Sequence, residues 1–260
     1  MPVVIAGEEE YTGLEDKVDV LNYLEPNHKK LKLIMSEDMR LRRTRWVRNI
    51  VWHTTKGIKG KIKEGVGPDT NLENRIARLW ATDGRNAGAH LSVDWNGTVG
   101  CHCDLLLHAA YHAGPINETS IGLELFQGSD GTLYDMQLQI AVELTTFLTA
   151  RFGIQRQIPK PDKDDIIKRA KQGGDDLVGV FGHRNVSTNR GPGDPGNFIF
   201  ERLKKEGYMV FSFGMEEDKR FWKKQQKALG LKQDGLPGPQ TCDALRDAGY
   251  DDGIYTLEET

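Results

Sequence analysis

The stretch Val180–Phe200, VFGHRNVSTNRGPGDPGNFIF, constrains this chain more than any other. The apolar run Leu177–Phe181 reads as the end of a buried strand. Gly182 and His183 follow, then a polar, Gly/Pro-rich loop, Asn185–Gly196, with Asp194 near its end. Asn197–Lys205 returns to helical spacing. An imidazole at a strand end and a carboxylate after a rigid loop are two converging ligand groups on a short tether. A third stands far upstream at His53, in IVWHTTKG, again where an apolar strand gives way to a polar loop. A His, His, Asp set from three separate positions suits zinc, with a fourth position open for water.

At 260 residues the chain holds one mid-sized domain plus a small one, and 38% apolar residues suffice for a core. A net charge of −3 gives no global pull toward nucleic acid. Basic charge is local: Arg40, Arg42, Arg43, Arg45 and Arg48 crowd one segment, which reads as a solvated helix face ahead of a polyanion site. That segment has no interleaved aromatics beyond Trp46, so no nucleic-acid partner is expected. The cysteines, Cys101, Cys103 and Cys242, give no disulfide framework. In a strand Cys101 and Cys103 share one face while His102 points to the other, which argues against a second metal site there. The opening MPVVIAGEEEY lacks a basic n-region and is not expected to be a secretory signal. No stretch approaches the length of a membrane span.

Taken in order, residues 1–39 read as an N-terminal extension with helical patches near Leu14–Leu24 and His28–Met35. Arg48–Thr54 reads as a central strand, and Thr70–Asp83 as a helix built on Leu72, Ile76, Leu79 and Trp80. Ala89–Val99 alternates around the turn dipeptide Asn96-Gly97 and predicts a hairpin. Ser120–Leu125 is another strand, Asp135–Phe152 the clearest helix, and Lys160–Gly174 a loop with a short helix. Leu177–Phe181 is the last expected strand and Gly196–Gly207 the last helix of the domain. Strands and helices mix without a strict βαβ repeat. The expected fold class is therefore mixed α/β, a central mixed sheet flanked by helices, with a small all-α C-terminal module. The domain boundaries expected are 40–210 for the main domain, 211–217 for a linker, 218–250 for the module and 251–260 for a tail.

Four segments in this order, IVWHTTKG, AGAHLSVDWNGTVG, AAYHAGPINETSIGLEL and GHRNVSTNRGPGDPG, resemble the zinc-dependent N-acetylmuramoyl-L-alanine amidases shared by phage endolysins, muropeptide amidases and peptidoglycan recognition proteins. The resemblance spans about Arg48–Leu203. It implies metal ligands at His53, His183 and Asp194. Many relatives carry a Cys-Pro-Gly where this chain has Gly191-Pro192-Gly193, so the third ligand passes to Asp194 of Asp194-Pro195-Gly196. The alternative reading has Asp194 capping the following helix.

Glu124, in SIGLELFQG, matches the family's catalytic glutamate, which takes a proton from water and passes it to the leaving amine. Relatives without it use a tyrosine before the hairpin histidine, and Ala89 stands in that place here. The lysine usual before the third ligand is missing. Arg190 is the candidate to replace it opposite the charge on the carbonyl oxygen. By the same resemblance His112 contacts substrate or supports the site. Thr54, Thr55, Asn117, Thr119 and Ser120 are candidates to line the groove.

Arg220–Tyr250 resembles the core of the small peptidoglycan-binding module found beside many wall hydrolases, with marks at Leu229, Leu231, Asp234, Gly235, Gly238, Pro239, Thr241 and Leu245. A plain helical hairpin is the alternative. The resemblance implies a Zn²⁺ cofactor, a monomer, peptidoglycan as partner, and cleavage of the bond between N-acetylmuramic acid and L-alanine. A recognition protein that binds peptidoglycan without cutting it is the alternative. Synthesis in the cytoplasm without a signal peptide, then action on the wall as a phage endolysin or a delivered toxin, is the expected route.

Overall fold

The computed structural model describes residues 2–24, 40–58, 65–82, 86–160, 164–174, 177–211, 216–235, 240, 241 and 244. Its centre is a six-stranded mixed sheet. In chain order its strands are β3 (Val20–Asn22), β5 (Asn49–Ile58), β6 (Leu91–Val93), β7 (Val99–Cys101), β9 (Ser120–Gly128) and β11 (Gly179–Gly182). Their spatial order is β11-β5-β9-β6-β7-β3. Every neighbouring pair is parallel except the β6–β7 hairpin, whose turn carries Gly97 at φ 90°. Smaller two-stranded sheets pair β1 (Val3–Ile5) with β2 (Glu8–Glu10), β4 (Arg40–Arg42) with β8 (His108–Ala110), and β10 (Gln157–Pro159) with β12 (Met209–Phe211).

Side chains alternate across a strand, so the sheet has two distinct faces. One face carries Ile50 and Trp52 of β5, Leu91 and Val93 of β6, Val99 and Cys101 of β7, and Ile121, Leu123 and Leu125 of β9. It packs against Ile140, Ala141, Leu144 and Leu148 of helix α2 (Asp135–Phe152), and burying each of the larger side chains, Ile140, Leu144 and Leu148, stabilises by about 1.5–3 kcal/mol. Trp52 is fully buried and its indole N–H donates to Thr145 Oγ1 at 3.2 Å.

Among the described residues the opposite face is covered in patches. Val51 and Phe181 join Ala113, Ile116, Leu177 and Val186 and the helix α3 (Asp164–Lys171) in one apolar cluster. Leu72, Ile76 and Trp80 of helix α1 (Leu72–Thr82) join Ala89 and Phe126 in another. His53 and Glu124 leave the sheet between these clusters, because they continue the parity of Val51 and Phe126.

Several expectations change. Val20–Asn22 is a buried edge strand of the main sheet, in place of a helical patch over Leu14–Leu24. Val3, Val4 and Ile5 are core residues, so residues 2–24 complete the domain and do not merely decorate it. The arginine-rich segment is a strand and a loop, not a solvated helix face, and Arg43 and Arg48 are buried. Met209–Phe211 adds a strand after the one expected to be last. The patch at His28–Met35 lies outside the described residues.

The remaining helices are α4 (His183–Val186), α5 (Phe198–Lys205) and α6 (Glu216–Ala228). Around α6 the amide of Gln226 ties the following turn: its Oε1 accepts from Gly235 N–H at 2.8 Å, and its Nε2 donates to Asp234 Oδ1 at 2.7 Å and Thr241 Oγ1 at 3.2 Å. Gly238, Pro239 and Leu245 lie outside the described residues. Among the described residues no helix is long and apolar enough to cross a membrane.

Candidate metal centre

Strand pairing sets the first donor. His53 sits in the middle of β5 and is the register partner of Glu124 on β9. On the other side β11 pairs Gly182 with Trp52, so His183, the next residue, arrives level with His53. The chain turns there into α4, and Asn185 Oδ1 holds the turn by accepting from Gly182 N–H at 2.8 Å.

The loop that follows is folded back by hydrogen bonds its polar residues make. Arg184 N–H donates to the Asp194 carbonyl at 2.8 Å, and the Arg184 guanidinium donates to the Pro192 carbonyl and to Asn197 Oδ1. Gln127, near the end of β9, donates to the Gly193 carbonyl at 2.6 Å and accepts from Gly196 N–H at 3.2 Å. Asp194 is thereby placed with Oδ1 accepting from Thr54 N–H at 3.0 Å. Its Oδ2 lies 3.3 Å from His183 Nδ1 and 3.5 Å from Arg190 Nε. Asp194 does not cap α5, whose N-cap position is Asn197.

His53 Nδ1 and His183 Nδ1 are 2.9 Å apart. The donor atoms of His53, His183 and Asp194 all lie within 4.8 Å of one another, and all three residues are buried. Among the described residues this is the one group of His, Cys, Asp and Glu donors that close. Zn–N and Zn–O bonds of about 2.0–2.2 Å in tetrahedral array set neighbouring donors about 3.3 Å apart. Two of the three separations, 2.9 and 3.3 Å, are close to that edge, and the third, between His53 and Asp194, is within 4.8 Å. Burial, the neighbouring imidazoles of His183 and His112 and the Arg190 charge hold the His53 ring well below the usual histidine range. It is therefore neutral, as a metal ligand must be. The residues fit a divalent cation.

Glu124 keeps some solvent contact, yet protein packs densely around its carboxyl. Burial pushes its pKa up to about 8; the Asp194 charge adds to the rise and Arg190 opposes it. Its Oε2 is buried and makes no hydrogen bond. Arg190 is half exposed and leans on Asp194.

His112 Nδ1 lies 2.9 Å from His53 Nε2. Its ring rests on Gly122, where a Cβ would come within 2.6 Å of the imidazole.

Three expected groove contacts are placed otherwise. Thr54 follows His53, so its side chain leaves the opposite face, level with the core residue Leu125, and it serves the site through its backbone N–H. Asn117 Oδ1 accepts from the N–H groups of His112 and Ala113 at 3.1 and 2.6 Å, which shapes the loop beneath His112. Thr119 is fully buried and donates to the Ile116 carbonyl at 3.2 Å.

Two contributors went unread in the sequence. Gln127 pins the Asp194 loop. Arg43 is buried and donates to the carbonyls of Glu118 and Ser120 at 2.6 and 3.0 Å, and it lies 3.0 Å from His90 Nε2. Burial pulls its pKa down to about 10. Only the arginine-rich composition near Arg43 hinted at it.

The fold and the site define a mixed α/β protein with a buried His–His–Asp group beside a carboxylate. The chain belongs to the N-acetylmuramoyl-L-alanine amidase family, whose model matches residues 42–197, more than half of its length. Among solved structures it is similar to an endolysin N-acetylmuramoyl-L-alanine amidase, LysCS, from Clostridium intestinale URNW. Identity there is 16%, 74% of this chain and 96% of that chain are covered, and the TM-score is 0.44. It is similar as well to the Drosophila peptidoglycan recognition protein SD, with 15% identity, 75% and 99% covered and a TM-score of 0.48. A mutant of Drosophila PGRP-LB in complex with tracheal cytotoxin matches at 16% identity, 74% and 96% covered and a TM-score of 0.48. No curated protein matches the chain.

Proposed function

We propose that this chain is a zinc-dependent amidase that hydrolyses the bond between N-acetylmuramic acid and L-alanine in peptidoglycan. The observation that carries the reading is the convergence of His53 with the distant His183 and Asp194, all three buried and with donor atoms within 4.8 Å of one another. Family membership supplies the substrate class.

His53, His183 and Asp194 hold the cation. Bound there, Zn²⁺ supplies a Lewis acid for the amide carbonyl and brings the pKa of water toward ~7. Glu124 takes the proton of the attacking water and delivers it to the leaving amine. A carboxyl on the same sheet face as the cation site, with one oxygen buried and without a hydrogen-bond partner in the protein, is placed to accept a proton and return it. Arg190, held beside Asp194, faces the negative charge that develops on the carbonyl oxygen. His112 supports His53 from behind.

In this reading residues 40–210 together with the N-terminal strands form the catalytic domain. The segment around α6 holds the wall, on the strength of the Asp234-Gly235 turn tied by Gln226. Intact wall is then the substrate, and the role is that of a bacteriolytic enzyme such as an endolysin.

The test is digestion of purified sacculi with and without a chelator, scored for new L-alanine N-termini. The reading expects such termini, and their loss on chelation. New reducing sugar ends would assign a glycosidase instead. Binding to sacculi without release of any peptide would assign a recognition protein.

A further inference from the structure

We infer that Ser120, acting through His112, fixes which ring nitrogen of His53 faces the metal centre. The inference rests on the metal reading above and adds to it a residue that touches neither the proposed cation nor the substrate.

The direction of the hydrogen bonds can be worked out from one end. Ser120 Oγ lies 2.6 Å from the Ile116 carbonyl. A carbonyl only accepts, so the single hydroxyl proton of Ser120 is committed to it. Ser120 Oγ is also 3.1 Å from His112 Nε2. With its own proton used, the hydroxyl can only accept there, and the Ser120 carbonyl also accepts from this ring, so His112 Nε2 carries the hydrogen. A neutral imidazole has one N–H, which leaves His112 Nδ1 bare. That bare nitrogen is 2.9 Å from His53 Nε2, which must donate to it. His53 Nδ1 is then left with a free lone pair. It is the atom 2.9 Å from His183 Nδ1, on the side of Asp194.

The relay is built as well as connected. Ser120 is fully buried, so no water competes for its hydroxyl. Gly122 leaves the space the His112 ring occupies, since a Cβ would stand 2.6 Å from Cγ and 2.7 Å from Nδ1 of that ring. Asn117 Oδ1 clamps the backbone on both sides of the His112 Cα by accepting from the His112 and Ala113 N–H groups. The ring can therefore neither withdraw from His53 nor turn over without breaking these contacts. A partner for the outer N–H of a ligating histidine sets its tautomer and raises its basicity. Here the partner is a second histidine, and the sense of the bond is dictated three residues away by a backbone carbonyl. Ser120 and His112 are positioning residues in this account.

Two measurements test it. The first is a long-range ¹H–¹⁵N correlation spectrum of the histidine rings in the metal-free protein, with the His53 signals assigned by their loss in His53→Ala. The inference expects hydrogen on Nε2 and a bare Nδ1 for both His53 and His112. Hydrogen on His53 Nδ1 in the wild type overturns it. The second is Zn²⁺ affinity by competition with a chromogenic chelator, for wild type, Ser120→Ala, His112→Leu and His112→Asn. Loss of the partner in His112→Leu is expected to weaken binding by about 10–100-fold, and Ser120→Ala, which removes the hydroxyl and leaves the Ser120 carbonyl on the ring, by a smaller factor. His112→Asn, whose Oδ1 can accept in place of Nδ1, is expected to recover part of the loss. Wild-type affinity in either Ser120→Ala or His112→Leu overturns the inference. A wild type that takes up no Zn²⁺ sinks the metal reading, and the spectrum still decides the direction of the relay.

Discussion

His53 and Glu124 are register partners across the parallel β5–β9 ladder, so an imidazole and a carboxyl leave neighbouring strands on the same face of the sheet. Two backbone hydrogen-bond ladders, not two flexible loops, hold the candidate base beside the candidate ligand. Such placement is the kind a catalytic group needs, because strands hold geometry more tightly than loops do.

Glu124→Gln keeps the shape of the side chain and removes its capacity to take a proton. Turnover on sacculi is expected to fall by about 10²–10⁴-fold. Zn²⁺ uptake is expected to remain, since Glu124 is not one of the three donors. Release of L-alanine termini by the variant at the wild-type rate would remove Glu124 from the mechanism.

Gly122→Ala places a methyl where the His112 ring lies, 2.6 Å from its Cγ. The strand cannot move without disturbing both the β5 and the β6 pairing, so the ring must shift. Urea denaturation of the metal-free protein is expected to show a loss of about 1–3 kcal/mol. Unchanged stability would mean that His112 does not rest on this strand.

His102 is fully buried, and burial pulls its pKa down to about 3 from the ordinary 6.5. The folded chain keeps the ring neutral, while the unfolded chain takes a proton below about pH 6.5. Its contribution is thus complete above that pH and is lost as pH falls from 6.5 toward 3. The ring also lies 3.0 Å from Ser92 Oγ, a contact glutamine can reproduce. In thermal melts at about pH 7 and about pH 4.5, His102→Gln is expected to lose less of its midpoint than the wild type does. The buried His53, His90 and His112, all pulled down in the same direction, leave the variant with a reduced decline and not a flat one. An equal decline in both proteins would contradict the assignment.

Much of this arrangement is legible in the sequence because the donors sit at punctuation marks. His53 and His183 stand where apolar runs break, and Asp194 stands between a Gly-Pro-Gly and a Pro-Gly. The long helix Asp135–Phe152 and the Asn96-Gly97 hairpin also carry strong local signals. What escapes is long-range. Val20–Asn22 is too short to show alternation, and Leu14, Val18 and Leu21 fall at helical spacing by coincidence. The burial of Arg43 depends on carbonyls about 75 residues away, whose convergence no local pattern records. Thr54 reads as a groove residue by nearness to His53, yet strand parity sends its side chain to the other face. The Ser120 relay is hidden for the same reason: it joins residues that only the fold makes neighbours.

Metal content per chain is the most direct measure of the central claim. The metal-free protein is equilibrated with Zn²⁺, dialysed and analysed for bound metal, beside His53→Ala, His183→Ala and Asp194→Ala. The account predicts about one ion per wild-type chain, from the one three-donor cluster among the described residues, and a large loss in each variant. Full metal content in all three variants, or none in the wild type, would contradict it.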